Sequence, residues 1–471
     1  MSVENYLRNL GYNVSGTMKA HINNWHNWYV GKVPSFHNYS VWNGKKNISC
    51  ERLSLQLAKT VCETWADFLF NEKVIITIDD VKIKEWIDNI FDYNNFYVMI
   101  NQYQEYKAAL GTVAYVPFIK NAVIDENTGE MTTAEAIGMN YITADKIIPL
   151  SWENGIINEM AVYDFRTEKK KNYAYIQLFR IGDDGNYLID NKLIEIMSNG
   201  GSAELELNTL SEFAKLAKTI ETGSPIKPFI IDRLAIANNI EIGSPFGISV
   251  FAKSIDNIKS IDMIYDSFYN EFDLGRRRIM VTAEAINITD SGQPTFKDDN
   301  VFFIIPKTGV NNEKPFIQEI VSTLREDEHE KALLFQLNTF SANCGLGENF
   351  YRYGGGSIAT ATQVISENSK LFRTLKKHEI ILEAVLIDLI RLIISLGNRA
   401  MGLNFDEKVN IKIKFDDSII EDKNSEMNRD LQLVMSGIMT EETYRVKWGI
   451  ENIVSANDDN IDTQFVDEVY T

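Results

Sequence analysis

The order of patterns between residues 245 and 396 limits the fold of this chain more than any other feature. This stretch predicts a long helix, a short β-rich excursion, a second helix, a glycine-rich loop and a third, longer helix. In the first helix, apolar residues advance by threes and fours and form one extended stripe. The stripe consists of Ile248, Phe251, Ile255, Ile258, Ile261, Tyr265, Phe268 and Phe272.

The later parts of this series have bounds of their own. The β-rich excursion covers roughly Ile279–Ile320. A second helix starts after Ser322, with acidic residues in its first turns where they suit the helix dipole, and ends near Asn343. The longest helical pattern in the chain runs from Ile358 to Leu396, and Ile411–Phe415 alternates like a half-exposed strand.

The N-terminal half mixes both kinds of pattern. The first 45 residues are rich in Asn and Trp and close at a turn, Trp42–Lys45. An amphipathic helix follows, with apolar residues from Leu53 to Leu69 at steps of about four. A strand at Val74–Ile78 and β signals scattered from 96 to 240 predict an irregular layer. With two short polar helices and an acidic tail after Asp422, the chain is predicted to be α+β.

The glycine-rich loop does not match a nucleotide-binding motif. Glycine occupies five of the fourteen positions in Cys344–Ser357, which favours a flexible loop. A phosphate-binding P-loop needs a lysine after its last glycine, and here the triple glycine is followed by Ser357. A dinucleotide fingerprint fails as well, because a helix rather than a strand leads into the loop.

Charge and composition favour a cytoplasmic site of synthesis and disfavour a tight grip on nucleic acid. The net charge is −19, whereas proteins that neutralise phosphates are usually basic. The acidity either keeps the protein soluble or lets it touch DNA without holding it. The three cysteines form no CxxC pair, and no secretory signal is visible. The most apolar stretch, Ile380–Leu396, is interrupted by charges, so no membrane span is expected.

Residues that could carry catalysis are scattered or ambiguous. The five histidines are too dispersed to share a helix face, so no metal site is expected. Carboxylate pairs such as Asp262 and Asp266 arise by chance in a chain this acidic. Of two basic clusters, Lys169–Lys171 is interpreted as a solvated hairpin turn. The cluster Arg276–Arg278 is either a phosphate contact or a group of cations that suits a helix end. No enzyme, cofactor or metal is predicted.

Several stretches resemble the portal, or head–tail connector, proteins of phages that infect Gram-positive bacteria. The resemblance spans nearly the whole chain in order, including the helical series from 245 to 396. No single motif is diagnostic, and the ordered set carries the resemblance. The stretches are Trp25–Gly31, Arg52–Lys59 continuing to Trp65–Asp67, Thr360–Ser366 and Phe415–Ile419.

The resemblance implies a portal fold, in which a ring, usually a dodecamer, surrounds a central channel. It implies a mixed wing layer, two stem helices, a small β-rich clip, a tunnel loop, a long wing helix and a small helical crown. The implied ranges are an N-terminal segment 1–45, the wing 46–245 and 358–420, the stem helices 246–274 and 321–342, the clip 275–320, the tunnel loop 343–357, and the crown with its tail 421–471.

Partners and site residues also follow from the resemblance. It implies that the clip docks the large terminase first and the head completion (adaptor) protein later, through Arg276, Arg277 and Arg278. The wing would meet the major capsid and scaffolding proteins. Double-stranded DNA would pass non-specifically through a channel in the virion, at the portal vertex of the capsid. The tunnel loop would narrow that channel through Asn343, Glu348, Tyr351, Arg352, Tyr353, Gly354, Gly355 and Gly356.

A ring fits the elementary constraints. Head-to-tail contacts close into a ring only when each subunit carries two different contact surfaces, which suits an apolar stripe too long for partners within one chain. Twelve equivalent loops cannot match a duplex that repeats about every 10–10.5 bp, so their contacts must be blind to sequence. Two alternatives are a tail or baseplate protein, which would lack this order of elements, and a nuclease or ATPase, which needs a P-loop or metal carboxylates.

Overall fold

The computed structural model divides the chain into two compact units, Met1–Phe415 and Asp416–Thr471. Helices and strands are both abundant in the first unit, which confirms the α+β class. The residues that the structure describes are 2–42, 44–70, 74–120, 123–124, 131–133, 136–197, 199–274, 278–282, 302–305, 317–320, 323–351, 361–415 and 423–448.

The first unit begins with a mainly helical part. Its elements are α1 (Ser2–Asn9), α2 (Thr17–Val30), α3 (Pro34–His37), β1 (Asn38–Trp42), β2 (Asn47–Glu51), α4 (Leu57–Leu69), β3 (Ile75–Ile78), α5 (Val81–Tyr93) and α6 (Phe96–Leu110). Helix α4 confirms the predicted amphipathic helix, and Val61 and Trp65 are fully buried in it. It begins at Leu57 rather than Leu53, because Gln56 takes the left-handed conformation (φ 53°) that a helix excludes.

Strands make up most of the next part. They are β4 (Thr112–Lys120), β5 (Val123–Ile124), β6 (Met131–Thr133), β7 (Ala136–Thr143), β8 (Ile147–Glu153), β9 (Ile156–Glu168), β10 (Lys171–Ile181), β11 (Tyr187–Ile196), β12 (Ser202–Leu205), β13 (Thr219–Glu221) and β14 (Ile230–Arg233). Strands β8 to β12 follow one another in an antiparallel sheet, and β4 lies between β7 and β14 in another. Lys169 and Lys170 are exposed and form the β9–β10 turn with φ of 50° and 67°, as the hairpin interpretation predicted.

Helix α7 (Ile255–Leu274) begins later than the predicted start at Phe246. The segment Phe246–Phe251 is buried without being helical, so its apolar residues reflect burial rather than helical period. Its path is fixed by Gly247, where a Cβ would lie 2.3 Å from the carbonyl oxygen of Gly111. This close contact between backbones excludes any side chain there, and the helix forms only after the segment has passed it.

The first unit ends with helices and short strands. They are β15 (Arg278–Thr282), β16 (Phe302–Ile305), β17 (Ile317–Ile320), α8 (Glu326–Asn343), α9 (Ala361–Met401) and β18 (Ile411–Lys414). Strand β15 pairs in parallel with β16 and antiparallel with β17. Helices α8 and α9 confirm the second and third predicted helices, and α9 continues to Met401, beyond the predicted Leu396. Strand β18 pairs antiparallel with β3, so both predicted strands form.

The second unit contains two short helices in its described part. They are α10 (Lys423–Met435) and α11 (Glu441–Trp448), which confirm the two polar helices predicted there. Tyr444 is buried, and the indole nitrogen of Trp448 donates to the carboxylate of Asp430 over 3.3 Å. The two helices therefore share a small core of their own.

Candidate functional site

Helices α7 and α8 form an antiparallel pair with polar contacts at both ends. Near the start of α7, the amide of Asn257 donates to Gln336 over 3.0 Å and accepts from Asn343 over 3.2 Å. Near the end of α7, Glu271 forms an ion pair with Arg325. The chain therefore leaves the pair at one end, forms β15 to β17 and returns to the same end. This is the helix–β segment–helix order predicted for a stem and clip.

The apolar stripe of α7 is covered along only part of its length. Ile258 and Ile261 lie in the core of the unit. Further along α7, the stripe residues Phe268 and Phe272 are 37% and 47% exposed, and the neighbouring Tyr269 is 56% exposed. On α8, Phe335 is 68% exposed. Within the described part of the chain, these large side chains remain partly uncovered, so this part of the helix pair has exposed apolar side chains.

The start of α8 is strongly acidic and accessible. Glu326, Asp327, Glu328 and Glu330 are all exposed. Acidic side chains stabilise the positive end of a helix dipole, which explains their place in the first turns. The same charges repel a polyanion that comes near this end of the helix pair.

Asp262 and Asp266 hold a neighbouring segment of the chain. Asp262 accepts hydrogen bonds from the Leu55 amide over 2.8 Å and the Ser54 hydroxyl over 3.0 Å. Asp266 accepts from the Leu53 amide over 3.0 Å. Burial raises the pKa of the Asp262 carboxyl above its usual range. These carboxylates fix the chain that enters α4 to the side of α7, which is a structural role.

The first part of the predicted tunnel loop is folded against α4 and α9. The indole nitrogen of Trp65 donates to the carbonyl of Cys344 over 3.1 Å. Gly345 has a φ of 85°, and a Cβ there would lie 2.9 Å from the Thr374 methyl carbon, so glycine is required for this turn. Leu346 is buried beside it. The expectation of a flexible loop throughout Cys344–Ser357 is therefore wrong for its first residues.

The predicted tunnel-loop residues fall into two groups. Asn343 is the last residue of α8, and the Glu348 side chain is exposed. The hydroxyl of Tyr351 forms a 3.2 Å hydrogen bond with Thr64 on α4, and its ring meets the edge of Phe350 at 5.0 Å between centroids. Tyr351 thus anchors the loop in this subunit, and its predicted contact with DNA stays a prediction. Outside the described residues lie Arg352, Tyr353, Gly354, Gly355 and Gly356.

Of the three predicted clip arginines, the structure describes the backbone of Arg278. Arg276 and Arg277 fall outside the described residues. Arg278 is the first residue of β15 and stands opposite Ile320 of β17 in the antiparallel register. The structure therefore places the backbone of Arg278 at the junction of helix and sheet, where the docking role was predicted.

The sequence did not predict the buried residues that support Trp65 and, through it, the start of the glycine loop. The ring of His378 on α9 meets Trp65 edge to face at 5.0 Å, and its Nδ1 accepts from the amide of Ala235 over 3.0 Å. Burial lowers the pKa of His378 from 6.5 to about 3, so its imidazole is neutral. Because these partners are far apart in the chain, no local pattern could reveal them.

Two kinds of site were also sought in the described ranges. In those ranges, no group of three or more His, Cys, Asp or Glu residues is placed to hold a metal ion. Among the helices of the same ranges, none is both long enough and apolar enough to cross a membrane.

Comparison with known proteins finds one family whose model covers most of the chain. A family model described as phage portal protein, SPP1 Gp6-like, matches residues 16–456. The match includes the α7–α8 pair, the sheet between the two helices, the glycine loop and α9. No curated protein matches the chain in sequence.

Proposed function

Because the chain belongs to the SPP1 Gp6-like family of phage portal proteins, we propose that its copies close into a ring, usually of twelve, at one capsid vertex. The large terminase would drive double-stranded DNA inward through this channel, and the genome would later leave through it to the tail. The ring would nucleate capsid assembly with the major capsid and scaffolding proteins and join the head to the tail through an adaptor protein. The family is structural rather than enzymatic.

The observation that best supports this proposal is the set of exposed apolar side chains on the α7–α8 pair. Large exposed apolar side chains mark contact sites between proteins, and a head-to-tail contact between identical subunits closes a ring when the rotation permits. On α7, Phe268, Tyr269 and Phe272 are neighbours and provide such a surface, and α8 adds the exposed Phe335. A tail or baseplate component has less support, since the family match spans this whole series of elements.

Mass photometry and negative-stain microscopy test the proposal directly. We expect particles at a multiple of the 53.8 kDa chain mass, with a central hole. Replacing Tyr269 and Phe335 together with serine should lower the fraction of rings and leave the monomer folded, because neither side chain is buried in its own chain. Ile242→Ser, at a side chain 93% exposed, is the matched control and should change nothing. A 53.8 kDa species alone, at micromolar concentration and several salt conditions, would contradict ring assembly.

A further inference from the structure

An apolar groove of about 900 Å³ opens on the first unit. Three of its walls are α9, β14 with the residues before it, and the turn between β8 and β9, and Glu407 and Lys408 complete the lining. Each of these three walls contributes an exposed isoleucine: Ile380 is 69% exposed, Ile226 is 38% exposed and Ile156 is 59% exposed. A concave surface of this size and composition favours a partner that brings several large apolar side chains.

A projecting element with such side chains occurs elsewhere on the same chain. Strands β1 and β2 pair only with each other among the described strands. Val41 and Ile48 are cross-strand partners on one face of this hairpin and are 48% and 41% exposed. Trp42, on the opposite face, is 62% exposed. Because a lone two-stranded hairpin is marginally stable in water, these side chains call for a covering partner.

The base of the hairpin is firmly held. The amide of Arg52 donates to the His37 carbonyl over 2.7 Å, and its guanidinium lies 4.5 Å from the ring centre of Phe36. The next residue, Leu53, is bound to Asp266 on α7, three residues before the exposed Tyr269. The hairpin therefore leaves the subunit beside the helix surface already proposed to contact a neighbour. Because the portal family implies assembly into a ring, a second copy of the chain is the covering partner that fits this position.

We propose that the β1–β2 hairpin of one copy places Val41, Trp42 and Ile48 in the α9–β14 groove of the next copy. A head-to-tail contact requires one projecting and one receiving surface on each subunit, and these two are built from different elements, since no hairpin residue lines the groove. The inference rests on the proposed ring, which supplies the second copy, and it adds the pair of surfaces that meet.

Cysteine cross-linking tests the contact in the full-length chain. In a Cys50→Ser background, with Cys62 and Cys344 buried, Trp42→Cys is combined with Ile380→Cys and mildly oxidised. A ladder of covalent dimers, trimers and larger species on a non-reducing gel is expected. The matched control combines Trp42→Cys with Asp183→Cys, an exposed site in the β10–β11 turn, and should remain monomeric on the gel.

A serine variant provides an independent measurement. Changing Val41, Trp42 and Ile48 together to serine should raise the protein concentration for half-maximal assembly at least about tenfold, because the apolar contact is lost. The melting temperature of the monomer should not change. Ile242→Ser is again the control.

The outcomes separate this inference from the proposed function. If unmodified protein forms rings but the Trp42→Cys/Ile380→Cys pair cross-links no more than its control, the hairpin contact is wrong and the portal ring stands. The same conclusion follows if the serine variant assembles into rings at the same protein concentration as the wild type. If cross-linked ladders appear without any closed ring, the contact stands and the ring is wrong.

Discussion

Trp65 links two parts of the structure that the chain separates widely. Its indole nitrogen donates to the Cys344 carbonyl at the start of the glycine loop, and its ring contacts His378 on α9. All three residues are buried. A buried carbonyl that loses its donor still bears the cost of having left water, so the Trp65 hydrogen bond should stabilise the start of the loop.

Trp65→Phe tests this dependence, because phenylalanine keeps most of the apolar volume and removes the N–H donor. We expect the free energy of unfolding to fall by about 1–3 kcal/mol, measured by urea denaturation of the monomer. Trp42→Phe, the same change at an exposed hairpin position, should stay within about 0.5 kcal/mol of wild type. Equal losses from both variants would show that the Trp65 hydrogen bond contributes nothing specific.

His378 makes the stability depend on pH in a defined direction. Its pKa is about 3 in the folded chain and 6.5 in the absence of burial, so the unfolded chain binds more protons between these values. Its contribution to stability is complete above 6.5 and is lost as pH falls toward 3. His378→Gln should therefore make the fall in unfolding free energy between about pH 7 and about pH 4 shallower. Exposed His26→Gln should keep the wild-type slope, and an unchanged slope in His378→Gln would contradict this account.

At the scale of elements, the sequence predicted a helix correctly where its apolar residues recur at the helical period of about 3.6 residues. The burial of Leu382, Leu386 and Leu389 in α9 follows the spacing that predicted the helix. The start of α7 was predicted wrongly because the spacing of Ile248 and Phe251 resembles a helix, whereas the contact of Gly247 with Gly111 that prevents one is not local. The sheet order and the Trp65 anchor were missed for the same reason.

The glycine loop gives a prediction for an element whose second part lies outside the described residues. Changing Gly354, Gly355 and Gly356 together to alanine restricts the backbone of the proposed tunnel loop. Rings should remain intact, and DNA packaged into proheads, measured as DNase-protected DNA, should fall. Normal packaging by these rings would leave the loop a passive link. Gly16→Ala, at a φ of −97° where an added Cβ would meet nothing within 4 Å, serves as a control for the loss of a glycine.

The arginine cluster between α7 and β15 gives another prediction. Replacing Arg276, Arg277 and Arg278 together with serine should impair terminase docking and packaging more than ring formation, because three adjacent cations follow a helix in an otherwise acidic protein. Terminase binding to purified rings and DNA packaging are the two measurements. Loss of the rings themselves would instead give the arginines a structural role.

At the scale of the whole molecule, a net charge of −19 suits a channel that DNA must slide through. The exposed acids at the start of α8 are expected to face the DNA path. Asp327→Lys with Glu328→Lys should make rings retain duplex DNA, with binding that weakens steeply as salt rises. Asp183→Lys with Asp184→Lys changes the net charge equally at an exposed turn and should retain less. Equal retention by both variants would show that only total charge matters. Filter binding at several salt concentrations measures the difference.

The length of α9 has a mechanical consequence. Its 41 residues form a rod about 60 Å long, since each residue of an α-helix adds about 1.5 Å. One end is separated from the glycine loop by three residues, and buried side chains hold the helix in the core of the unit from Leu371 to Ile393. A push on the chain before Ala361 would therefore be transmitted along the helix axis and reach the core at Leu371, about 15 Å away. In the proposed ring, a force that DNA exerts on the tunnel loop would thus be carried by one continuous helix into the core of each subunit.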